Sequence, residues 1–335
     1  MAENRNGNWL LRSEGESTEL VSRATSFHAA TRFFPRDDRL AIEKIYRFCR
    51  AVDDLADDPS LCDSDVFAKL DQIAAWLRSF VREQSVEPDP IEDLRQLIVY
   101  RSLDVRPLLC LVKGVRSDRL VRERATGDDL LLYCFQVAGS VGMIMAQLLG
   151  TREREAQAYA ATLGVAMQLT NIIRDIGEDL EREIFYLPTA ELARFGYSRR
   201  RLERRIVDAD LVHLLRWQIA RARHYYAVGL AGLSWLSPSA RFPIGLAARL
   251  YAGILEEVEA NDYDVFNRRA RTSLPRKLQL TVATAAGLQW SGRLEVSGWP
   301  SGGDILAQVS EIIRGELVEP KGVVLEERPR EGASL

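Results

Sequence analysis

The stretch QLTNIIRDIGEDLEREIFYLP, residues 168–188, carries three oxygen-bearing side chains at intervals of four residues. Successive helical residues turn by about 100°, so Asn171, Asp175 and Asp179 drift by only about 40° per step and line one stripe. The same helical wheel places Arg174 on the opposite side. An apolar face lies beside the stripe and is formed by Val165, Leu169, Ile172, Ile176 and Leu180. The carboxylates therefore border the core of the protein.

Carboxylates at the edge of a core need a compensating partner, because burying an unpaired charge is very unfavourable. Oxygen ligands suit a hard cation such as Mg²⁺. The stripe therefore predicts a metal site. The alternative is a solvated run of charges, since neighbouring charged residues face solvent as that interpretation requires.

A second acidic motif occurs in RAVDDLADDP, residues 50–59. The preceding helix has an apolar face at Ile42, Ile45, Tyr46, Cys49 and Val52. Steps of four residues continue this face from Cys49 to Asp53 and then to Asp57, so apolar positions give way to carboxylates. Acidic residues at a helix C-terminus oppose the helix dipole. Both acidic motifs thus favour a bound cation.

The composition of the 335 residues predicts a globular protein, with 47% hydrophobic residues to form a core. The net charge is −3, and Lys and Arg are spread along the chain, so nucleic acid is not an expected partner. The four cysteines, Cys49, Cys62, Cys110 and Cys134, form no CxxC pair. Disulfide frameworks and zinc sites are therefore not indicated. The polar N-terminus lacks an apolar signal region, so a cytoplasmic location is expected.

The remaining pattern is helical throughout, and no convincing strand period occurs. We expect an all-α protein with a flexible segment at 1–17, one domain at 18–290 and a tail at 291–335. Thr126 and Thr151 are the predicted N-caps of two central helices. Leu130 to Gly150 carries no charge and is long enough to cross a bilayer. Its glutamines and glycines favour a buried central helix over a membrane span.

Five blocks of this sequence resemble the squalene/phytoene synthase family over roughly residues 22 to 280. They begin at Thr25, Tyr46, Leu131, Gln168 and Leu250 and read TSFHAATRFFP, YRFCRAVDDLADD, LLYCFQVAGSVG, QLTNIIRDIGEDLEREIFYLP and LYAGILEEVEANDYDVFNRRA. The resemblance implies a single-domain isoprenoid synthase helical fold. In that fold two acidic helices face each other across a central active-site cavity.

The resemblance also implies functional residues. The implied metal ligands are Asp53, Asp57, Asn171, Asp175 and Asp179. The implied catalytic residues are Asp53, Asp57, Tyr133, Asp175 and Asp179. The implied substrate contacts are Ser26, Phe27, Arg50, Tyr133, Gln168, Asn171, Tyr251 and Arg268. The implied cofactor is Mg²⁺, with Mn²⁺ as an alternative.

This sequence departs from the family pattern at two places. Ile184 stands where the family commonly has an arginine, and Arg182 is the candidate substitute. The segment KGVRSDR, residues 113–119, is more basic than its family counterparts. The glycines of VAGSVG have two interpretations, which are passage of an isoprenoid chain beside the helix and tight packing between helices.

We expect a prenyltransferase that joins two prenyl diphosphates head to head through a cyclopropyl diphosphate. The first hypothesis is synthesis of phytoene from geranylgeranyl diphosphate. A second is a C30 enzyme that makes presqualene diphosphate, squalene or dehydrosqualene from farnesyl diphosphate, with NADPH required only for squalene. A non-catalytic lipid-binding or assembly relative and a terpene cyclase are further alternatives. We also expect a monomer or weak homodimer with transient, peripheral contact to a membrane surface.

Overall fold

The computed structural model describes residues 29–81, 91–287 and 300–317. The segment predicted to be flexible, 1–17, and the predicted contacts Ser26 and Phe27 lie outside these ranges. Within them the all-α prediction is confirmed: the described residues contain no strand, and only Glu123 and Phe185 form an isolated β-bridge. The α-helices are α1 Arg36–Asp57, α2 Asp63–Val81, α3 Glu92–Arg101, α4 Arg106–Leu120, α5 Gly127–Cys134, α6 Ser140–Leu148, α7 Arg154–Glu181, α8 Thr189–Arg194, α9 Arg199–Glu203, α10 Ala209–Ala231, α11 Pro238–Ala260, α12 Leu274–Ala285 and α13 Gly302–Leu317.

Helix α7 is the centre of the array. Its 28 residues pack against α6, α10, α11 and α13, and 15 of them are buried. Small residues permit this close contact: a Cβ atom at Gly142 would lie 2.2 Å from the carbonyl oxygen of Ala160 on α7. At Gly142 the structure therefore supports tight helix packing, the second interpretation of the VAGSVG glycines. Gly142 also lines an apolar cavity, as the first interpretation requires.

The uncharged segment forms α5, a π-helical turn at Phe135–Gly139, and α6. By length and composition, Gly127–Leu148 is the one helical stretch of the described chain that could cross a membrane. It packs against α4 and α7, and Leu130, Cys134 and Ile144 are fully buried. The segment is thus an internal element of the helical array.

The two predicted N-caps have different outcomes. Thr126 forms a capping box with Asp129, and each side chain accepts a hydrogen bond from the other residue's backbone. The prediction for Thr151 is wrong, because α7 begins three residues later at Arg154. The Thr151 hydroxyl instead donates to the carbonyl oxygen of Trp235, 2.9 Å away, which ties two distant connections together.

Helix α13 lies within the predicted tail and packs onto the same core as α7 and α10. Ile305 and Val309 are each only 1% exposed. Near the end of α13, the Glu316 carboxylate accepts from Lys113 at 2.9 Å and from Gln136 at 3.0 Å. The predicted boundary at 290 falls in residues that the structure does not describe.

Candidate active site

The two acidic motifs meet in space, at the C-terminal ends of α1 and α7. Arg182, just after α7, donates to Asp57 of α1 across 3.1 Å. Asp53 of α1 and Asn171 of α7 line the same cavity. The structure therefore brings together the residues that sequence spacing placed on two separate helices.

Asp53 and Asp179 are half-buried, and within the described chain neither carboxylate makes a hydrogen bond or an ion pair. Burial raises the pKa of Asp53 to about 7, and the nearby charge of Asp57 adds to this effect while Arg50 opposes it. Burial raises the pKa of Asp179 to about 8, with Asp175 as the next contributor. Each motif thus holds one carboxylate that its surroundings do not stabilise in the charged form.

The other carboxylates of the motifs are paired with arginines. Asp54 binds Arg50 at 2.5 Å, one helical turn away, and Asp57 binds Arg182. These guanidinium groups place positive charge among the carboxylates. The acidic site is therefore also a site that can hold an anion.

Asp175 is held by two arginines. Arg174 donates through Nε at 2.7 Å, and Arg269 lies 3.1 Å away while also binding Glu178 at 2.7 Å. The helical wheel placed Arg174 on the far side of α7, and this prediction is wrong. Its side chain folds back onto its neighbour and is only 17% exposed.

The contact made by Arg269 depends on a close crossing of the chain at Gly177. The Gly177 backbone N–H donates to the carbonyl oxygen of Val265 at 3.2 Å, and a Cβ atom at Gly177 would lie 2.8 Å from that oxygen. The crossing brings the segment after α11 against the acidic stripe of α7. Arg269 pairs with this stripe, whereas the predicted contact Arg268 makes no ion pair or hydrogen bond within the described residues.

Asn171 presents a buried oxygen that has no hydrogen-bond partner in the part of the chain that the structure describes. Its amide nitrogen donates to Gln168 at 3.2 Å, but its Oδ1 atom is buried without a hydrogen bond. Leaving such an acceptor unsatisfied costs about 1 to 3 kcal/mol. An oxygen of this kind is a ready ligand for a hard cation.

An aspartate and two tyrosines form a second polar group beside the acidic site. Asp118 accepts from the hydroxyls of Tyr133 at 3.2 Å and Tyr186 at 2.6 Å, and the two rings stack with centroids 5.0 Å apart. Arg124 binds Asp118 at 2.9 Å and lies over the Tyr133 ring at 4.6 Å. Burial raises the pKa of Asp118, which the tyrosine hydrogen bonds and Arg124 partly offset. Burial also raises the pKa of Tyr133, and the charge of Asp118 adds to it.

Backbone contacts position this group. The N–H of Phe185 donates to the Arg122 carbonyl at 2.9 Å, and that of Thr189 donates to the Arg124 carbonyl at 3.0 Å. These bonds hold Tyr186 next to Arg124.

Sequence reasoning predicted Tyr133 but missed Asp118, Tyr186 and Arg124. For Asp118 the sequence did contain a usable pattern. Leu111, Val115 and Asp118 follow helical spacing, which places the Asp118 carboxylate on the core face of α4.

An apolar cavity of about 260 Å³ extends from the acidic site. The predicted contacts Gln168 and Tyr251 line it together with Asp53 and Asn171, and so do apolar residues such as Leu149 and Leu236. Burial raises the pKa of Tyr251, and the charge of Arg174 opposes this. A polar mouth joined to an apolar cavity suits a long hydrocarbon with a charged head.

The donor set fits a cation that is shared with an anionic ligand. No group of three or more His, Cys, Asp and Glu side chains in the described chain is arranged to hold a metal ion alone. Mg²⁺ is commonly bound by one or two carboxylates together with substrate phosphates and water. The unpaired Asp53 and Asp179 and the orphaned Asn171 oxygen supply such donors on both sides of the site.

Residues 20–276 match the family model of squalene/phytoene synthase. The chain belongs to the squalene/phytoene synthase family. Among its curated relatives, the 15-cis-phytoene synthase of Synechococcus elongatus is 36% identical over 278 residues, covering 78% of this chain and 89% of the relative. The phytoene synthase of Arthrospira platensis is 37% identical over 268 residues, covering 76% and 86%.

Solved structures of the squalene/phytoene synthase family share this fold. A dehydrosqualene synthase in complex with a ligand has a TM-score of 0.72 and 29% identity, covering 81% of this chain and 94% of that one. The squalene synthase of Alicyclobacillus acidocaldarius has a TM-score of 0.66 and 26% identity, covering 72% and 91%. The isoprenoid synthase fold expected from the resemblance is thereby confirmed.

Proposed function

We propose that this protein joins two molecules of geranylgeranyl diphosphate head to head to form phytoene. The observation that carries the proposal is the pair of facing acidic helices beside an apolar cavity, each with a carboxylate that is unpaired within the described residues. Curated relatives at 36% and 37% identity are named phytoene synthases and support the C20 substrate. The relatives therefore support the C20 substrate, and the geometry of the site supports the reaction type.

The residues that would hold Mg²⁺ are Asp53, Asp57, Asn171, Asp175 and Asp179. When bound, such a cation acts as a Lewis acid that neutralises the charge of a departing diphosphate. Arg50, Arg182 and Arg269 already lie among these carboxylates. A planar guanidinium donates two parallel hydrogen bonds to a phosphate group, so these arginines are suited to orient the diphosphates.

The reaction begins when the C–O bond of one substrate breaks and its diphosphate leaves with the electron pair. The double bond of the second substrate attacks the allylic cation, and loss of a proton closes the cyclopropane ring. Departure of the second diphosphate permits rearrangement, and loss of another proton forms the new double bond. The apolar lining keeps water away from these cations.

The protons released in these steps need an acceptor near the acidic site. The Tyr133 hydroxyl donates to Asp118, which leaves lone pairs of the tyrosine oxygen available. The raised pKa of Asp118 favours proton uptake by the carboxylate. We assign proton acceptance to the Tyr133–Asp118 pair, because a proton taken by the tyrosine oxygen can be balanced by transfer of its own proton to Asp118.

Product analysis tests the proposal. Purified protein with Mg²⁺ is given geranylgeranyl diphosphate or farnesyl diphosphate, each with and without NADPH. We expect a C40 product from the C20 substrate without a reductant, and no turnover after chelation of Mg²⁺. Adding Mg²⁺ or Mn²⁺ back to the chelated protein should restore turnover. No C40 product from folded, metal-loaded protein would contradict the proposal.

A C30 enzyme is the second candidate. It is favoured by the dehydrosqualene synthase structure, although its 29% identity is lower than that of the phytoene synthases. In the same assay this candidate predicts product from farnesyl diphosphate. Dependence of squalene formation on NADPH would separate the two C30 products.

A further inference from the structure

Helix α12 presents an apolar face to solvent. Its single buried residue is Leu280, which packs onto α11. On the opposite side Leu274, Leu278 and Val282 are 80%, 67% and 60% exposed. Steps of four residues place these three side chains within about 80° of each other around the helix.

The polar groups of α12 lie elsewhere. The Arg276 guanidinium binds Glu256 of α11 at 3.0 Å through Nε. The hydroxyls of Thr281 and Thr284 donate to backbone carbonyls of α12 itself, at 2.8 Å and 2.7 Å. The exposed residues of α12 are Leu274, Pro275, Leu278, Gln279, Val282 and Ala285, and the one polar side chain among them, Gln279, accepts from Arg276 at 2.7 Å. A surface helix normally buries its apolar side, so this helix is oriented opposite to expectation.

The exposed face adjoins the wall of the substrate cavity. Leu280 packs in a small cluster with Ala247 and Met167, and both of these residues also line the cavity. Phe33 is 51% exposed and packs edge-on against Phe242, which borders the same cluster. The apolar surface is therefore continuous with the part of the protein that would hold a lipid chain.

The charge of this region indicates what covers the face. Residues 267–287 carry five basic side chains, Arg268, Arg269, Arg271, Arg276 and Lys277, and no acidic one. Arg269 and Arg276 are paired with acidic residues of α7 and α11, so Arg268, Arg271 and Lys277 supply the basic charge beside the apolar face. Arg271 is exposed and Lys277 is half-exposed. Basic residues next to an apolar helical face complement an anionic lipid surface, where each strengthens binding roughly fivefold.

We propose that the outward face of α12, formed by Leu274, Leu278 and Val282, docks onto an anionic lipid bilayer, with Arg271 and Lys277 at the headgroup level. This docking surface goes beyond the proposed reaction. It places the cavity wall against the membrane from which a prenyl diphosphate is drawn, and that part of the inference rests on the proposed function.

Sedimentation with vesicles tests the surface directly. Full-length protein is mixed with neutral phosphatidylcholine vesicles or with vesicles containing one quarter phosphatidylglycerol. The triple variant Leu274→Gln, Leu278→Gln, Val282→Gln is expected to lower the partition coefficient on anionic vesicles by more than roughly tenfold. Arg271→Gln with Lys277→Gln is expected to weaken binding by a smaller factor and to reduce its salt dependence.

The matched control is Val99→Gln with Tyr100→Gln, which alters two exposed apolar residues of α3 at 62% and 83% exposure. This control is expected to bind vesicles like the parent protein. Equal binding by the α12 triple variant and the parent would overturn the proposal. Turnover of detergent-dispersed substrate is measured in parallel, so a failed reaction and a failed docking surface are distinguished.

Cysteine labelling separates a membrane from other occupants of the face. Leu278→Cys is introduced with Cys62→Ser, since Cys62 is the exposed cysteine of the described chain. We expect rapid maleimide labelling without vesicles and at least about tenfold slower labelling with anionic vesicles. Slow labelling without vesicles would mean that another part of this chain or a second copy covers the face, and would overturn the proposal. Rapid labelling in both conditions would overturn it as well.

Discussion

Two regions of this protein bury carboxylates, and they treat them in opposite ways. Glu191 of α8 is 7% exposed, is paired with Arg221 of α10, and accepts from Gln218 at 2.6 Å. Asp53 and Asp179 at the acidic site have no such partner in the described chain. The charge of Glu191 is thus balanced within the protein, whereas the acidic site has carboxylates that are available to a ligand.

The comparison shows how to separate structural from functional acids. A buried charge is tolerated when a partner and hydrogen bonds replace the lost water. Where these are missing, the pKa rises, as it does to about 7 for Asp53 and about 8 for Asp179. Removing a structural acid should therefore damage stability, and removing a functional one should damage activity.

The largest expected effect follows substitution of an unpaired acid. Asp53→Asn or Asp179→Asn should lower kcat/KM by more than the roughly 10- to 100-fold typical of losing an outer-shell partner of a metal. The melting temperature of the metal-free protein should stay the same or rise, because an unfavourable charge is removed. Steady-state kinetics and thermal melts measure both quantities.

Asp54→Asn is the control on the same helix, since Asp54 is exposed and paired with Arg50. It should retain most of the activity. Near-normal turnover of Asp53→Asn at limiting Mg²⁺ would remove the basis for the metal site.

Substitution of the structural acid should have the opposite result. Glu191→Ala leaves Arg221 buried without its carboxylate, so the free energy of unfolding should fall by about 3 to 5 kcal/mol. Activity per folded molecule should be retained. Urea denaturation gives the first quantity and active-site titration the second.

The double variant Glu191→Ala with Arg221→Met sharpens this test, because it removes both charges. It should recover part of the lost stability. Loss of activity in folded Glu191→Ala protein would show that the comparison between the two regions is wrong.

A smaller effect is expected at the arginines that follow α11. Arg269→Gln removes the bridge to Asp175 and Glu178 and should lower kcat/KM by about 10- to 100-fold. Arg268→Gln should change it by less than about threefold, because this side chain makes no ion pair or hydrogen bond within the described residues. Both variants make the same Arg→Gln change at neighbouring positions, so Arg268→Gln is the control for the loss of one positive charge. A larger loss for Arg268→Gln than for Arg269→Gln would support Arg268 as the substrate contact that the sequence predicts.

The smallest effect is a pH dependence of stability in the metal-free protein. Asp53 and Asp179 have folded-state pKa values near 7 and 8, above the value of about 4 expected for an unfolded aspartate. The folded state therefore binds more protons, and stability is lost as the pH rises through the folded-state values. The slope is at most about 1.4 kcal/mol per pH unit for each group.

Chemical denaturation between pH 6 and pH 8.5 in the presence of a chelator measures this slope. The double variant Asp53→Asn with Asp179→Asn should flatten it. An equally steep slope in the double variant would assign the effect to other groups.

Helical spacing predicted much of the candidate site. Asp53, Asp57, Asn171, Asp175 and Asp179 lie where their four-residue spacing placed them, on two helices that meet. Spacing did not predict Asp118 as a partner of Tyr133, since the contact joins α4 to α5. It also failed for Arg174, because a wheel describes where a Cβ atom points and not where a long guanidinium side chain ends.

By itself the sequence determined the all-α class, the two acidic stripes and membership of the squalene/phytoene synthase family. These features follow from local periodicity and from motifs that are short and contiguous. Only the tertiary structure decided which carboxylates are paired and which arginine supplies the pairing. Arg182 reaches Asp57 across 125 residues of sequence, and such contacts depend on how the helices pack. The orientation of α12 is also decided only by the tertiary structure. Periodicity defines an apolar face of this helix, but helix packing decides whether that face is buried.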